Sequence, residues 1–196
     1  MDEKEVKDAR TAISLEDAAA LKPNLATRRD LDEWEYKNIL EGRAWALDSR
    51  RLKRTDPLTE PYIRKLHFRM FNQTWGWAGK YRTTNPNLGI PHHEIRDRLG
   101  QLLGNARYWL ENKTYDLDEI GVRVHHEAVQ IHPFPDGNGR HTRLFADVIV
   151  AHGGREPFSW GPDNLVAAGA ARDQYIKALK QADAGDIQGL LKFARS

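Results

Sequence analysis

The chain has 196 residues, 30 Lys and Arg against 28 Asp and Glu, and no cysteine. This length suits one domain, and 30% charged with 40% apolar residues is unlike either a disordered tail or a membrane protein. The absence of cysteine excludes disulfides, thiolate catalysis and Cys-ligated metals, and no apolar run approaches the roughly 20 residues that span a bilayer. The first residues lack the apolar segment of a secretory signal, so we expect a cytoplasmic protein without membrane partners.

Helical spacing of apolar residues runs through most of the chain. Helices are predicted over 28–48, about 59–70, 95–110, 116–131, 138–152, 163–182 and 186–194. The first of them has a variant capping-box signature, because Thr27 is followed three positions later by Asp30. Residues 1–27 are predicted to be an N-terminal extension, and 28–196 to be one domain.

One segment does not fit a helix. Between Trp75 and His93 the chain is rich in glycine and proline, and Tyr81–Thr84 is the sole β-favouring run. A short hairpin or an extended flap fits this pattern best. The sequence therefore predicts an all-α helical bundle with a small β-hairpin flap.

The residue types that perform chemistry are most concentrated at 132–143, which reads HPFPDGNGRHTR. This segment joins two predicted helices, so its second half should be a helix N-terminus, where free N–H groups and the helix dipole bind phosphate. Gly137 and Gly139 allow a ligand to approach the backbone closely. Arg140 and Arg143 add guanidinium donors on adjoining faces of the first helical turn. The segment is therefore predicted to bind an anion.

Two further residues give this segment the means to react. Asp136 supplies an oxygen ligand for a Mg²⁺ that bridges phosphates, and His132 is of a type that can accept a proton near neutral pH. Together with the anion site, they indicate a nucleoside triphosphate and a hydroxyl nucleophile. A plain helix-capping turn is the alternative, but a cap requires neither two glycines nor a preceding histidine.

The segment 132–143 resembles the signature of the Fic (filamentation induced by cAMP) family, His-x-Phe-x-(Asp/Glu)-Gly-Asn-Gly-Arg-x-x-Arg. Every fixed position is matched, by His132, Phe134, Asp136, Gly137, Asn138, Gly139, Arg140 and Arg143. Trp77–Arg82 is similar to the family's approach to its flap, and 172–186 to its closing helices. Among the subgroups of the family, the chain is most like mobile mystery protein B.

The resemblance implies a Fic-type helical bundle and a protein adenylyltransferase, which moves AMP from Mg-ATP to a Ser, Thr or Tyr hydroxyl of a target protein. His132 would be the general base, Asp136 would hold Mg²⁺, and Phe134 would anchor the loop in the core. The phosphates would be bound by Gly137, Asn138, Gly139, Arg140 and Arg143. Relatives that phosphorylate tend to carry Lys after the motif's asparagine, so a glycine there favours AMP transfer. Self-modification and a homodimer stay open.

The resemblance also gives the flap a role, over residues 83–93. In the family this edge pairs through its main chain with the target segment and brings the hydroxyl to the base. Thr83, Thr84 and Asn85 are the residues that we expect to dock the target. The alternative is an ordinary surface connection.

An inhibitory helix is the last feature that the resemblance implies. Glu41-Gly42 matches the end of the family's motif (Ser/Thr)-x-x-x-Glu-(Gly/Asn), on the predicted helix 28–48, although Lys37 stands where Ser or Thr is expected. We hypothesise that Glu41 pairs with Arg143 and occupies the γ-phosphate site. The alternative is an exposed glutamate that faces Lys37 one turn away.

Other function classes stay open at this point. The same site could remove AMP from a target, or the chain could be a non-catalytic, toxin-like binding module. A zinc protease is disfavoured because Gln130 stands where the motif begun by His126-Glu127 needs its second histidine. The basic run at 50–54 and a net charge of +2 favour a solvated helix end over nucleic-acid binding.

Overall fold

The computed structural model describes residues 15–24, 27–161 and 169–196. The helices in these ranges are α1 (Leu15–Ala19), α2 (Arg28–Ala46), α3 (Ser49–Leu52), α4 (Glu60–Phe71), α5 (Ile95–Asn112), α6 (Leu117–Ile131), α7 (Asn138–His152), α8 (Ala170–Asp183) and α9 (Gln188–Ala194). The same ranges contain no β-strand, so the all-α architecture is confirmed. None of the helices in the described part of the chain has the length and hydropathy that crossing a bilayer requires.

The ends of the helices follow the local signals in the sequence. The capping box of α2 is present, since Thr27 N donates to Asp30 Oδ2 at 2.9 Å and Asp30 N donates to Thr27 Oγ1 at 3.2 Å. The predicted start of a helix at 163 lies outside the described residues, and α8 is described from Ala170 onward. The short helices α1 and α3 were not predicted, because each is too brief for apolar periodicity to be visible.

The main core forms where α4, α5, α6 and α7 pack together. Phe71, Phe134 and Phe145 are 0–1% exposed at its centre. Helix α2 packs along α4, and a Cβ on Gly42 would lie 2.9 Å from Met70 Cα. Gly42 is therefore explained by the close contact of two helices.

A second apolar cluster joins α8 and α9 to the other side of α6 and α7. Asp147 of α7 binds the segment that contains Phe158 and Trp160, two members of this cluster. Its carboxylate accepts hydrogen bonds from Phe158 N at 3.1 Å and Trp160 Nε1 at 2.9 Å. The same carboxylate pairs with Arg43 of α2 at 2.6 Å. Helix α7, which begins within the HPFPDGNGRHTR segment, is thus tied to α2 and to the residues that follow its own C-terminus.

The β-hairpin predicted beside this segment is not present among the described residues. Residues 80–91 form an irregular loop that runs along the end of α6. Its contacts with the rest of the chain depend on Arg82, whose backbone N donates to Pro133 O at 3.0 Å and whose side chain is buried. A buried guanidinium thus makes the polar contacts that a hairpin ladder would have supplied.

Candidate active site

Residues 132–137 connect α6 to α7 through two left-handed backbone turns. His132 ends α6 with φ 54°, and Gly137 begins α7 with φ 75°. A Cβ on Gly137 would lie 2.5 Å from the ring of Phe71, so only glycine fits both the conformation and the space. The shape of this connection is therefore fixed by its own residues and by α4 beneath it.

Phe134 and Asn138 lock the connection from inside. Phe134 is fully buried, as expected, and stacks on His67 with ring centroids 3.7 Å apart. The Asn138 side chain accepts from Phe134 N at 2.9 Å and donates to Phe134 O at 2.8 Å. The expectation that this amide contacts phosphate is therefore revised: its side chain is engaged by the loop itself, which leaves the Asn138 backbone N–H for an anion.

His67 of α4 holds the same loop at a second point. Its Nδ1 accepts from Gly79 N at 3.0 Å, so Nε2 carries the proton and donates to Asp136 O at 3.1 Å. Burial lowers the pKa of His67 well below its usual value, which keeps the ring neutral in this role. His67 was not predicted to be a site residue, because it lies on α4, far in sequence from the motif.

His132, the predicted base, is 7% exposed at the end of α6. Burial lowers its pKa to about 4, the charge of Arg82 acts in the same direction, and a hydrogen bond with the Val129 carbonyl opposes them. The imidazole is therefore neutral at physiological pH and able to accept a proton. The depth at which this histidine is buried could not be predicted from the sequence.

Arg140 lies between two carboxylates. Its guanidinium donates to Glu35 Oε2 at 2.6 Å and to Asp136 Oδ2 at 3.1 Å, and it lies 5.0 Å from the ring centroid of Phe71. Burial disfavours the charge, but the carboxylates of Glu35 and Asp136 outweigh it and raise the pKa of Arg140. The predicted metal ligand and one predicted phosphate ligand are thus brought together, with Glu35 of α2 as a third member.

Arg143 faces a different set of residues. Its guanidinium carbon lies 5.2 Å from the ring centroid of Tyr175 on α8, and the Tyr175 hydroxyl makes a 3.1 Å hydrogen bond with His125 Nε2. A Cβ on Gly139 would lie 3.7 Å from Arg143 NH1. The two motif arginines therefore turn toward different neighbours, Arg140 toward α2 and Arg143 toward α8.

The predicted pairing of Glu41 with Arg143 is wrong. Glu41 Oε2 accepts from Gln73 Nε2 at 2.5 Å on the exposed surface, while Arg143 contacts Tyr175. The reason is helical geometry. Glu41 follows Glu35 by six residues, which places the two side chains about 120° apart around α2, and the side of Glu35 faces α7. Glu35 therefore reaches a motif arginine, and Glu41 does not.

The residues predicted to dock a target lie on the loop beside His132. Thr83, Thr84 and Asn85 are all exposed. However, the Thr84 carbonyl accepts from Arg82 NH1 at 2.8 Å, and Asn85 Oδ1 accepts from His92 N at 2.8 Å. Parts of this segment are therefore engaged in holding the loop closed.

A cavity of about 510 Å³ opens next to this loop. It is lined by Gly89 and Ile90 of the loop, by Gln101 of α5 and by Glu127 and Gln130 of α6, among others. Its volume lies within the usual range for small-molecule sites. The residues that line the cavity lie outside the HPFPDGNGRHTR segment, and Ile131, directly before His132, is the nearest of them in sequence.

The match of this chain to a known protein family falls on the same region. Residues 57–150, from just before α4 to near the end of α7, match the model of the Fic/DOC family. These residues belong to the Fic/DOC family. The match contains the whole His132–Arg143 motif, as the sequence resemblance predicted. It does not bear on the mobile mystery protein B subgroup, which stays a prediction.

Similar proteins extend the likeness to the Fic domain beyond these residues. A protein adenylyltransferase Fic of Nematostella vectensis is 26% identical over 151 residues, which is 75% of this chain and 34% of that protein. This chain therefore spans about a third of the length of that curated relative.

Solved structures show the same fold. A Fic domain-containing signaling protein of Bacteroides thetaiotaomicron has a TM-score of 0.67 at 20% identity, over 88% of this chain and 70% of that one. The BepC protein of Bartonella tribocorum, solved with bound AMPPNP, has a TM-score of 0.67 at 16% identity, over 93% of this chain and 97% of that one. The helical arrangement outside 57–150 is thus also that of Fic-domain structures.

Proposed function

We propose that this chain transfers AMP from ATP to a hydroxyl side chain of a target protein. The observation that carries the proposal is the position of His132, which ends α6 and is separated by one short loop from the N-terminus of α7. In the transfer His132 takes the proton of the hydroxyl, the hydroxyl oxygen attacks the α-phosphorus, and the bond to pyrophosphate breaks. The similarity to protein adenylyltransferases supports this reaction over other uses of a triphosphate.

The N-terminus of α7 supplies the phosphate site. No side chain caps this helix at Gly137. The first backbone N–H groups, those of Asn138, Gly139 and Arg140, therefore lack intrahelical partners and can bind phosphate oxygens. Gly139 leaves their surroundings open, and Arg143 adds a positive charge at the same turn.

Asp136 fits the role of a magnesium ligand. Its side chain is 23% exposed, and its carboxylate retains acceptor capacity beyond the bond to Arg140. Mg²⁺ in nucleotide sites is commonly bound by one or two carboxylates together with the substrate phosphates, so one carboxylate of this kind is sufficient. When bound, Mg²⁺ would neutralise phosphate charge.

The parts of the chain outside 57–150 belong to this proposal as well. Glu35 of α2 holds Arg140, and Tyr175 of α8 lies against Arg143. We therefore assign residues 28–196 to one Fic domain, with residues 1–27 as an extension. The loop from Thr83 to His93 is proposed to dock the target segment through its main chain.

ATP labelled at the α- or the γ-phosphate tests the proposed reaction. The purified chain is incubated with cell lysate, Mg²⁺ and either label, beside the His132→Ala variant. Transfer of the α-label alone, lost by about 100-fold or more in His132→Ala, is the expected result. Label on the chain itself would reveal self-modification. Transfer of the γ-label, or equal labelling by the variant, would contradict the proposal, and loss of label from a modified target without ATP would indicate a hydrolase.

A further inference from the structure

Arg82 connects the end of α6 to the loop beside it. The residue is 3% exposed, and its guanidinium donates to carbonyls on both sides. On the side of α6, Nε binds His132 O at 2.6 Å and NH2 binds Ile131 O at 3.2 Å. On the side of the loop, NH1 binds Thr84 O at 2.8 Å and NH2 binds Ile90 O. One side chain thus joins the backbone of the candidate base to both arms of the candidate docking loop.

This contact acts on a backbone conformation that needs support. His132 has φ 54°, which is uncommon for a residue with a side chain and costs on the order of 1 kcal/mol. Its carbonyl and that of Ile131 are among the last of α6, which lack partners within the helix. Arg82 binds both, so the turn that sets the direction of the imidazole is held from outside the motif.

The loop packs closely against His132 at Gly89. A Cβ on Gly89 would lie 2.6 Å from His132 Cβ and 2.9 Å from Arg82 NH2. The backbone of the loop therefore lies directly against both the base and the arginine. Any movement of the loop around Arg82 changes the surroundings of the imidazole.

We propose that Arg82 is a positioning residue, which fixes the imidazole of His132 relative to the loop 83–91 so that a docked hydroxyl meets the base in the required geometry. This rests on the proposed AMP transfer. Arginine suits the task because its planar guanidinium offers five donors in a fixed fork, whereas lysine offers three donors at one point. The described contacts of the guanidinium are with oxygens of the backbone and of the Asn85 amide. Arg82 therefore stabilises the conformation of the backbone around His132 and the loop.

Two variants separate positioning from general stability. In Arg82→Lys the charge is kept and the fork is lost, and in Arg82→Gln both are lost. Arg96→Gln is the matched control, since Arg96 lies nearby on α5 with 67% of its side chain exposed and pairs with Glu60. Thermal unfolding confirms which variants are folded, and a folded Arg82→Lys is sufficient for the test if Arg82→Gln does not fold.

The first readout requires no activity. NMR of the full chain follows the imidazole of His132, whose pKa is lowered to about 4 by burial and by the charge of Arg82. We expect its pKa to rise in Arg82→Gln, its resonances to shift in both Arg82 variants, and neither to change in Arg96→Gln. Unchanged His132 resonances in a folded Arg82 variant would overturn the proposal, even if AMP transfer by the wild-type chain were established.

The second readout is the kinetics of transfer. A displaced base lowers kcat by on the order of 10- to 100-fold and leaves the KM for ATP unchanged, because the phosphate site on α7 is untouched. The kcat of Arg82→Lys should be reduced almost as much as that of Arg82→Gln, because lysine keeps the charge but lacks the fork of donors. An unchanged kcat in both folded variants would contradict positioning by Arg82, whereas inactivity of the wild-type chain would count against the proposed function alone.

Discussion

Glu35 of α2 and Arg140 of α7 form an ion pair in the interior, with 2.6 Å between Glu35 Oε2 and Arg140 NH1. Glu35 is 5% exposed, and its other carboxylate oxygen accepts from Trp75 Nε1 at 2.6 Å. The pair joins residues that lie 105 positions apart in the chain. It fixes the arginine of the motif from a helix that lies outside the matched range 57–150.

Replacement of Glu35 should destabilise the whole domain. Glu35→Ala removes the buried carboxylate that pairs with Arg140, and loss of one member of a buried pair costs about 3–5 kcal/mol. Glu41→Ala is the control, because the Glu41 carboxylate is exposed and bonds to Gln73. Its effect should stay within about 0.5 kcal/mol. Urea unfolding measures the free energy of unfolding of both variants. Equal losses would show that the buried pair of Glu35 contributes no more to stability than the exposed contact of Glu41.

Gly137 and Gly139 should respond differently to alanine. Gly137→Ala brings a Cβ to 2.5 Å from the buried ring of Phe71 at φ 75°, so we expect a loss of about 2 kcal/mol or more. Gly139→Ala meets nothing closer than Arg143 NH1 at 3.7 Å and gains helix propensity, so its stability should not fall.

Gly139→Ala is therefore the informative variant for function. Its methyl group lies at the first turn of α7, where we propose that phosphates bind, and ATP affinity should drop while stability is kept. Calorimetric titration with Mg-ATP measures this change. Unaltered affinity in a stable Gly139→Ala chain would move the phosphate site away from this turn.

The features that the sequence predicted are those set by neighbouring residues. Thr27 caps α2, apolar spacing marks α5 and α6, and the glycines allow the turn at 137. Each depends on residues a few positions apart, so one sequence suffices. The fold class and the location of the motif loop could be predicted for this reason.

The partners of the motif could not be predicted in the same way. Glu41 was chosen because Gly42 follows it, but Gly42 is required by the contact with Met70. Glu35 gave no local signal, since its partner Arg140 is distant in sequence. The prediction of a hairpin was wrong for a similar reason. The run Tyr-Arg-Thr-Thr favours a strand, but the path of the chain is determined by the buried side chain of Arg82, whose partners at the end of α6 are distant in sequence.

Stability should decline as the pH falls from about 6.5 toward 4. Burial lowers the pKa of His132 and His141 to about 4, and lowers those of His67 and His125 as well. In this window the unfolded chain, whose histidines have a pKa near 6.5, binds more protons than the folded chain. Each buried histidine then removes about 1.4 kcal/mol per pH unit.

Two histidine variants test this pH dependence. His141→Gln keeps a donor for the Ile63 carbonyl that accepts from the ring at 3.0 Å, but cannot be protonated, so the slope of unfolding free energy against pH should become shallower. His93→Gln changes a ring that is 71% exposed and should leave the slope as it is. Identical slopes in wild type and His141→Gln would show that His141 does not contribute.

ATP should bind tightly only together with Mg²⁺. Glu35 and Asp136 carry two negative charges and Arg140 and Arg143 two positive ones, so the site has no surplus of positive charge for a triphosphate.

Thermal unfolding with ATP, in EDTA or in Mg²⁺, measures this dependence through ligand stabilisation. At 100 times the Kd, Mg-ATP should stabilise the chain by about 2.7 kcal/mol, and ATP in EDTA by much less. Asp136→Asn removes a negative charge and the metal ligand, so the difference between the two conditions should shrink. Asp97→Asn, at an exposed position on α5, should preserve it. Equal stabilisation in EDTA and in Mg²⁺ by the wild-type chain would contradict a magnesium site at Asp136.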